Sequence, residues 1–190
     1  HQGIANASRC PTSDRVACGG LKRTAVINVV GLSESLLGPA TPRINGPTIF
    51  GVRPGSPFLY AIPATGDRPM TFSAKGLPAG LRLDATTGRI TGALNQKGEF
   101  AVTLLARNAL GTAEKKFRIV VGDQIALTPP MGWNSWNCWA GAVSQDKVLR
   151  SARALVASGL SQHGWSYVNI DDAWQGRRGG PLNAIQPNEK

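Results

Sequence analysis

Acidic residues are scarce in this chain, 11 against 21 lysines and arginines over 190 residues, and cysteine occurs only three times. The three cysteines, Cys10, Cys18 and Cys138, have no zinc-ligand spacing, and an odd number leaves one thiol over in any disulfide scheme. Cys10 and Cys18 are close enough in sequence to pair in an oxidising compartment. No uninterrupted apolar run reaches membrane-spanning length, and VINVVGL is too short for a signal-peptide core, so no membrane span is expected. A glycine-rich phosphate loop between strand and helix is also missing, which disfavours dinucleotide binding, and no other cofactor or metal is expected. The formal charge of +10 is scattered, with only short pairs such as Lys115-Lys116 and Arg177-Arg178. No nucleic-acid module surrounds these pairs, so no nucleic-acid partner is expected and the excess reads first as a solvated basic surface, with polyanion binding by the basic half as the lesser alternative.

An apolar content of 42% is enough for ordinary packed cores, and the length allows one or two domains. Residues 1–46 are turn-rich, with one plausible strand at 25–30, a sequon at Asn6-Ala7-Ser8 that chance explains, and no assigned role. From Pro57 to Val121 the apolar residues recur at period two: Phe58, Tyr60, Ile62; Met70, Phe72, Ala74; Leu81, Leu83; Phe100, Val102, Leu104, Ala106; Phe117, Ile119, Val121. Turn-formers separate these runs. Short half-buried strands at nearly regular spacing predict an immunoglobulin-like β-sandwich over 47–122. The LPAGLRLDATTGRITG stretch resembles immunoglobulin-like modules of bacterial surface and carbohydrate-active proteins, which implies a spacer or adhesive role.

All five tryptophans lie between 133 and 174, together with the adjacent carboxylates Asp171 and Asp172. Indole faces stack on the CH faces of a sugar while carboxylates accept hydrogen bonds from its hydroxyls, so this stretch suits a polyhydroxylated ligand. It reads as strand, helix, strand. Ser144 is a fair N-cap, Val148, Ala152, Leu155, Val156 and Gly159 form one apolar face, and a second strand, YVNID, follows Gly164. In an extended strand Asp171 and Asp172 point to opposite faces, and they converge on one ligand only if the strand ends or bulges there. A solvated strand end, ion-paired with Arg177 and Arg178, accounts for them equally well. His163 reads as a helix-end partner, and Trp139 and Trp165 as packing residues.

PMGWNSW followed about 35 residues later by YVNIDDAW resembles the opening of the catalytic barrel of glycoside hydrolase family 27, the α-galactosidase or melibiase family. The resemblance implies a multidomain chain: the β-sandwich, then at 123–190 the first β-α-β portion of a (β/α)8 TIM barrel. It implies an O-glycosyl hydrolase acting on α-galactoside oligo- or polysaccharides, bacterial and secreted or periplasmic. By the same resemblance Trp133 walls the galactose pocket while Asp171 and Asp172 accept from the sugar hydroxyls. The retaining carboxylate pair would lie on later barrel strands, so no catalytic residue is expected in this chain. Animal members carry a cysteine after the paired aspartates, bonded to the match of Cys138; here that position is Ala173, and this bridge cannot form. The alternative is a non-catalytic carbohydrate-binding or adhesion module in which the sandwich does the work.

Overall fold

A computed structural model describes residues 38–189 and two short strands, β1 (Ala17–Cys18) and β2 (Arg23–Thr24), which pair antiparallel. The sequon, the plausible strand at 25–30 and Cys10 lie outside the described residues. Two compact units are present: 38–132 with 153–167, and 133–152 with 168–189.

The first unit is dominated by a β-sandwich of the immunoglobulin-like kind. Its strands are β3 (Arg43–Ile44), β4 (Ile49–Val52), β5 (Pro57–Ala61), β6 (Ala64–Thr65), β7 (Thr71–Lys75), β8 (Leu81–Leu83), β9 (Arg89–Ala93), β10 (Gly98–Asn108) and β11 (Gly111–Val121). One sheet runs β4-β11-β10-β7, a second β5-β9-β8, and β3 pairs with β6. All ladders are antiparallel except β4 with β11, where Ile49 to Val52 align with Arg118 to Val121 in parallel.

Period-two patterning explains the sandwich, because alternate residues of a strand share a face that must be buried. Phe58, Tyr60, Ile62, Met70, Phe72, Leu81, Val102, Leu104, Ala106, Phe117, Ile119 and Val121 are all buried. Lys116 and Arg118 point outward between them. Ile44, Val52, Ala64, Ile90 and Leu94 complete the core. Inside it an aromatic chain forms: Phe50 lies 5.2 Å from Phe58 and 5.4 Å from Tyr60, and Tyr60 lies 4.7 Å from Phe117, centroid to centroid. Each such pair contributes about 1 kcal/mol beyond its area.

Side chains that bond the backbone close the turns. Asn108 Oδ1 accepts from the N–H groups of Leu110 (2.9 Å) and Gly111 (3.1 Å), which closes the long β10–β11 hairpin. Asp84 Oδ1 accepts from Thr86 N (2.8 Å) and Thr87 N (3.1 Å), and these bonds hold its carboxyl below the ordinary range. Lys115 stands opposite Leu104 and donates Nζ to the carbonyls of Asn45 (3.2 Å) and Gly46 (2.5 Å). Partial burial, aided by Arg43, lowers its pKa.

After the sandwich come β12 (Gly132–Asn134), α1 (Trp136–Trp139), a 3-10 turn (Ala140–Ala142), α2 (Gln145–Ala157), a second 3-10 turn (Leu160–His163), β13 (Tyr167–Asn169), β14 (Gln175–Gly179) and β15 (Ala184–Pro187). The α2 helix starts after Ser144, whose carbonyl accepts from Val148 N, and carries Asp146 in its first turn. Gly159 follows it in the left-handed conformation, φ 77°. Leu155 is buried and Val148, Ala152 and Gly159 are half-buried, but Val156 is exposed at 65%. It sits about 100° round the helix from Leu155. Ser151 takes the covered place instead. The hairpin β14–β15 was not anticipated. Its turn needs left-handed residues, supplied by Gly180 (φ 72°) and Asn183 (φ 46°). Among the described residues no helix is long and apolar enough to cross a membrane.

Leu104 is fully buried at the centre of the core, and Leu104→Ala should cost about 2–5 kcal/mol in denaturant unfolding of the chain. Tyr60 differs because its hydroxyl is buried with no hydrogen-bond partner, and burial together with Tyr167 raises its pKa. Removing an unpaired buried hydroxyl relieves a desolvation cost, so Tyr60→Phe should raise the unfolding free energy by about 1 kcal/mol in the same assay.

Candidate functional site

Strands β12 and β13 are hydrogen-bonded neighbours. Ser166 N and Tyr167 N donate to Met131 O, and Ser135 N donates to Asn169 O at 3.0 Å, so residue numbers rise together along the pair and the strands are parallel. Gly132 permits the approach, since a Cβ there would overlap the Tyr167 carbonyl. Both strands therefore end on the same side, and the conserved geometry of a parallel pair places Trp133, Asn134 and Ser135 beside the residues that follow Asn169.

Ser135 knots the two strand ends. It is fully buried, and its Oγ accepts from Asp171 N at 2.9 Å. Asn169 Nδ2 donates to Trp133 O at 3.2 Å. Asn134 reaches both ways: its Nδ2 donates to Asp171 Oδ2 at 2.9 Å and its Oδ1 accepts from Trp136 N at 2.8 Å, which starts α1. Trp133 is thus half-buried on a strand end fixed to the start of the Asp171 segment.

The two aspartates are held separately. Asp171 leans on Asn134 of the first strand end. Asp172 Oδ1 accepts from Ala173 N (2.7 Å) and from Gln175 Nε2 (2.8 Å). The backbone turns between them and β14, with Ala173 at φ 65°, and Asn188 fastens this bend by donating Nδ2 to Ala173 O at 2.7 Å and N to Trp174 O at 2.8 Å. The strand stops before the aspartates, which removes the alternation that would send them to opposite faces. Both carboxylates are exposed, and neither pairs with Arg177 or Arg178 within 4.0 Å among the described residues. Arg178 donates to Asn183 O instead.

The other tryptophans divide. Trp139 is buried beneath the Lys147 ammonium, 5.0 Å from its ring, whereas Trp136, Trp165 and Trp174 are exposed. Cys138 is a free thiol. No group of three metal-ligating side chains occurs among the described residues. Sequence reasoning did not single out Asn134, Ser135, Asn169, Gln175 or Asn188. The dense asparagines of WNSWN and VNIDD were the available signal, because short amides at strand ends bond the neighbouring backbone.

A parallel strand pair carrying polar groups at its carboxyl ends, in a chain that also holds an immunoglobulin-like sandwich, defines a class of module-plus-site chain. In agreement, residues 41–122 match the family described as "Putative Ig domain". Curated relatives include proteins named as α-galactosidases. They include the "Probable alpha-galactosidase" of Dictyostelium discoideum, 41% identical over 80 residues, which are 42% of this chain and 20% of the relative. "Alpha-galactosidase A" of Cellvibrio japonicus is 46% identical over 56 residues, 30% of this chain and 14% of the relative. The match therefore spans a fifth or less of these relatives' length. Two solved structures from Bacteroides fragilis, described as a "putative alpha-galactosidase" and a "putative alpha-galactosidase/melibiase", superpose at TM-score 0.73 with 45% and 42% identity, covering 80% of this chain and 33% of each of theirs. The chain is thus a homologue, over part of their length, of glycoside hydrolases.

The bonds from Ala173 N and then Gln175 Nε2 hold the Asp172 carboxyl below its ordinary value of 3.8. A carboxylate with a lowered folded value stabilises above its unfolded pKa and loses that contribution as pH falls through the folded one. Carboxyl-detected NMR should therefore place the Asp172 midpoint below 3.8, and Gln175→Ala should move it back towards 3.8.

Proposed function

We propose that this chain forms the N-terminal part of a retaining α-galactosidase, with 1–46 preceding the module, 47–122 the immunoglobulin-like spacer and 123–190 the first β-α-β portion of a (β/α)8 barrel. The reading is carried by one juxtaposition. Trp133 and Asp171 stand at the carboxyl ends of adjacent parallel strands, joined through Asn134, and a barrel enzyme assembles its site at those ends. The named relatives supply the substrate class, a terminal α-galactoside.

Each residue then has a role its chemistry allows. The Trp133 indole walls the sugar on its apolar CH face. Asp171 accepts from a sugar hydroxyl with Oδ1 while Asn134 engages Oδ2, and Asp172 accepts with the oxygen that Gln175 and Ala173 leave free. A sugar lacking the matching hydroxyl leaves a carboxylate unpaired, which selects galactose over its 4-epimer. These groups orient and do not react. Hydrolysis with retention needs a nucleophile and an acid/base about 5 Å apart, and those are assigned to the rest of the barrel. Substrate meets such an enzyme outside the cell or in the periplasm of a bacterium, where the sandwich serves as a spacer.

In enzyme carrying the complete barrel, Asp171→Asn should lower kcat/KM for an aryl α-galactoside by about a hundredfold or more, since an acceptor in the transition state is lost. An unchanged kcat/KM would remove Asp171 from the site. The 190-residue chain alone should show no turnover of the same substrate; turnover abolished by Asp171→Asn would place catalysis here and overturn the division of labour.

A further inference from the structure

Within the first unit the sandwich is tied to the chain that follows it by more than the covalent linker. A module that merely spaces needs only that linker, and relative motion is the ordinary expectation for two parts so joined. Here two further attachments are made. The first lays the connector on the sandwich: the Leu127 side chain packs on the backbone of Gly51 in β4, so closely that a Cβ at Gly51 would stand 2.9 Å from Leu127 Cδ1. The second joins residues more than a hundred apart in sequence.

This second attachment connects the β3–β6 edge with the 3-10 turn before β13. Asn45, just after β3, donates Nδ2 to Thr65 Oγ1 at 3.2 Å inside the sandwich and to the Gln162 carbonyl at 2.9 Å across the seam. Carbonyls at the end of a helical turn need a partner from elsewhere, and Asn45 supplies one. Beside this bond two backbones touch. Gly164 is buried at φ 98°, and a Cβ on it would lie 3.0 Å from Gly46 Cα and 3.2 Å from Gly46 N. Any side chain there would hold the two backbones apart.

The edge is shaped from inside the sandwich. Asn45 N donates to Pro63 O at 2.8 Å, and Lys115 of β11 holds the Asn45 and Gly46 carbonyls with its ammonium. Its amide and its glycine backbone are therefore already placed when the turn meets them. On the other side of the seam, Ser166 N and Tyr167 N bond Met131 O, the start of the β12–β13 pair. The seam thus lies where β13 enters its ladder.

We propose that the sandwich is a fixed partner of the β12–β13 pair, with Asn45 and Gly46 forming a docking surface for the turn at 162–164 that sets the entry of β13. The module then spaces without swinging. This inference is independent of the α-galactosidase reading, since no residue of the seam belongs to the Asp171 site.

The test is amide hydrogen exchange of the full 190-residue chain, read residue by residue by NMR. Asn45→Ala should speed exchange of the Ser166 and Tyr167 amides about fivefold through loss of one hydrogen bond, while the β10–β11 ladder keeps its rates. Thr65→Val removes only the bond inside the sandwich and should leave Ser166 and Tyr167 as in the parent. Coupling between two sites is reciprocal, so Gly164→Ala, made on the far side of the seam, should speed exchange of the Asn45 amide. Unchanged Ser166 and Tyr167 rates in Asn45→Ala would overturn the proposal, as would an unchanged Asn45 rate in Gly164→Ala. Equal acceleration of the β10–β11 ladder in Asn45→Ala, or of Ser166 and Tyr167 in Thr65→Val, would overturn it too, by placing the effect in the stability of the sandwich and not in the seam.

Discussion

The register of β12 against β13 is the constraint on which the site depends. A glycine at 132 lets one backbone lie on the Tyr167 carbonyl, and the buried Ser135 then bonds Asn169 O with its N–H and Asp171 N with its Oγ. A slip of one residue would turn Asn134 away from Asp171 and leave the Ser135 hydroxyl buried without its donor. The cost of that orphan holds the pairing in place. Backbone bonds thus fix where the carboxylate begins, and side-chain amides fix where it points.

Different forces hold the two parts of the chain. The sandwich rests on apolar burial, with Phe58, Ile90, Leu104 and Ile119 almost wholly withdrawn from water and an aromatic chain running from Phe58 to Phe117. Around the aspartates the anchoring contacts are hydrogen bonds, carried by Asn134, Asn169, Gln175 and Asn188. Such bonds are directional but individually weak in water, which suits a site that must be shaped and wet.

Much of the sandwich was legible because period-two burial is a direct consequence of strand geometry, and Phe58, Tyr60, Ile62, Val102 and Leu104 obey it. Ile44, Val52 and Ile90 were harder to see, since they sit in strands too short or too glycine-rich to show alternation. The α2 helix was legible from Ser144 to Gly159, but assigning Val156 to its covered face misjudged one step of helical rotation. At the site the tryptophans and aspartates announced themselves by type. Their separate anchoring by Asn134 and Gln175 did not, because a hydrogen bond between residues 37 apart depends on a register that no single segment encodes. The β14–β15 hairpin was hidden for a related reason: Asn183 adopts a left-handed backbone that its sequence neighbours do not demand.

The parallel alignment of β4 with β11 has a mechanical side. These are the strands at either end of the main sheet's run of sequence, and their free ends point in opposite directions along a shared ladder. Tension applied through the flanking chain therefore loads the bonds between 49–52 and 118–121 in shear, all together, in place of opening them one after another. A module built this way resists stretching far better than a hairpin pulled from its open end, and it would transmit force between whatever it connects without paying out length.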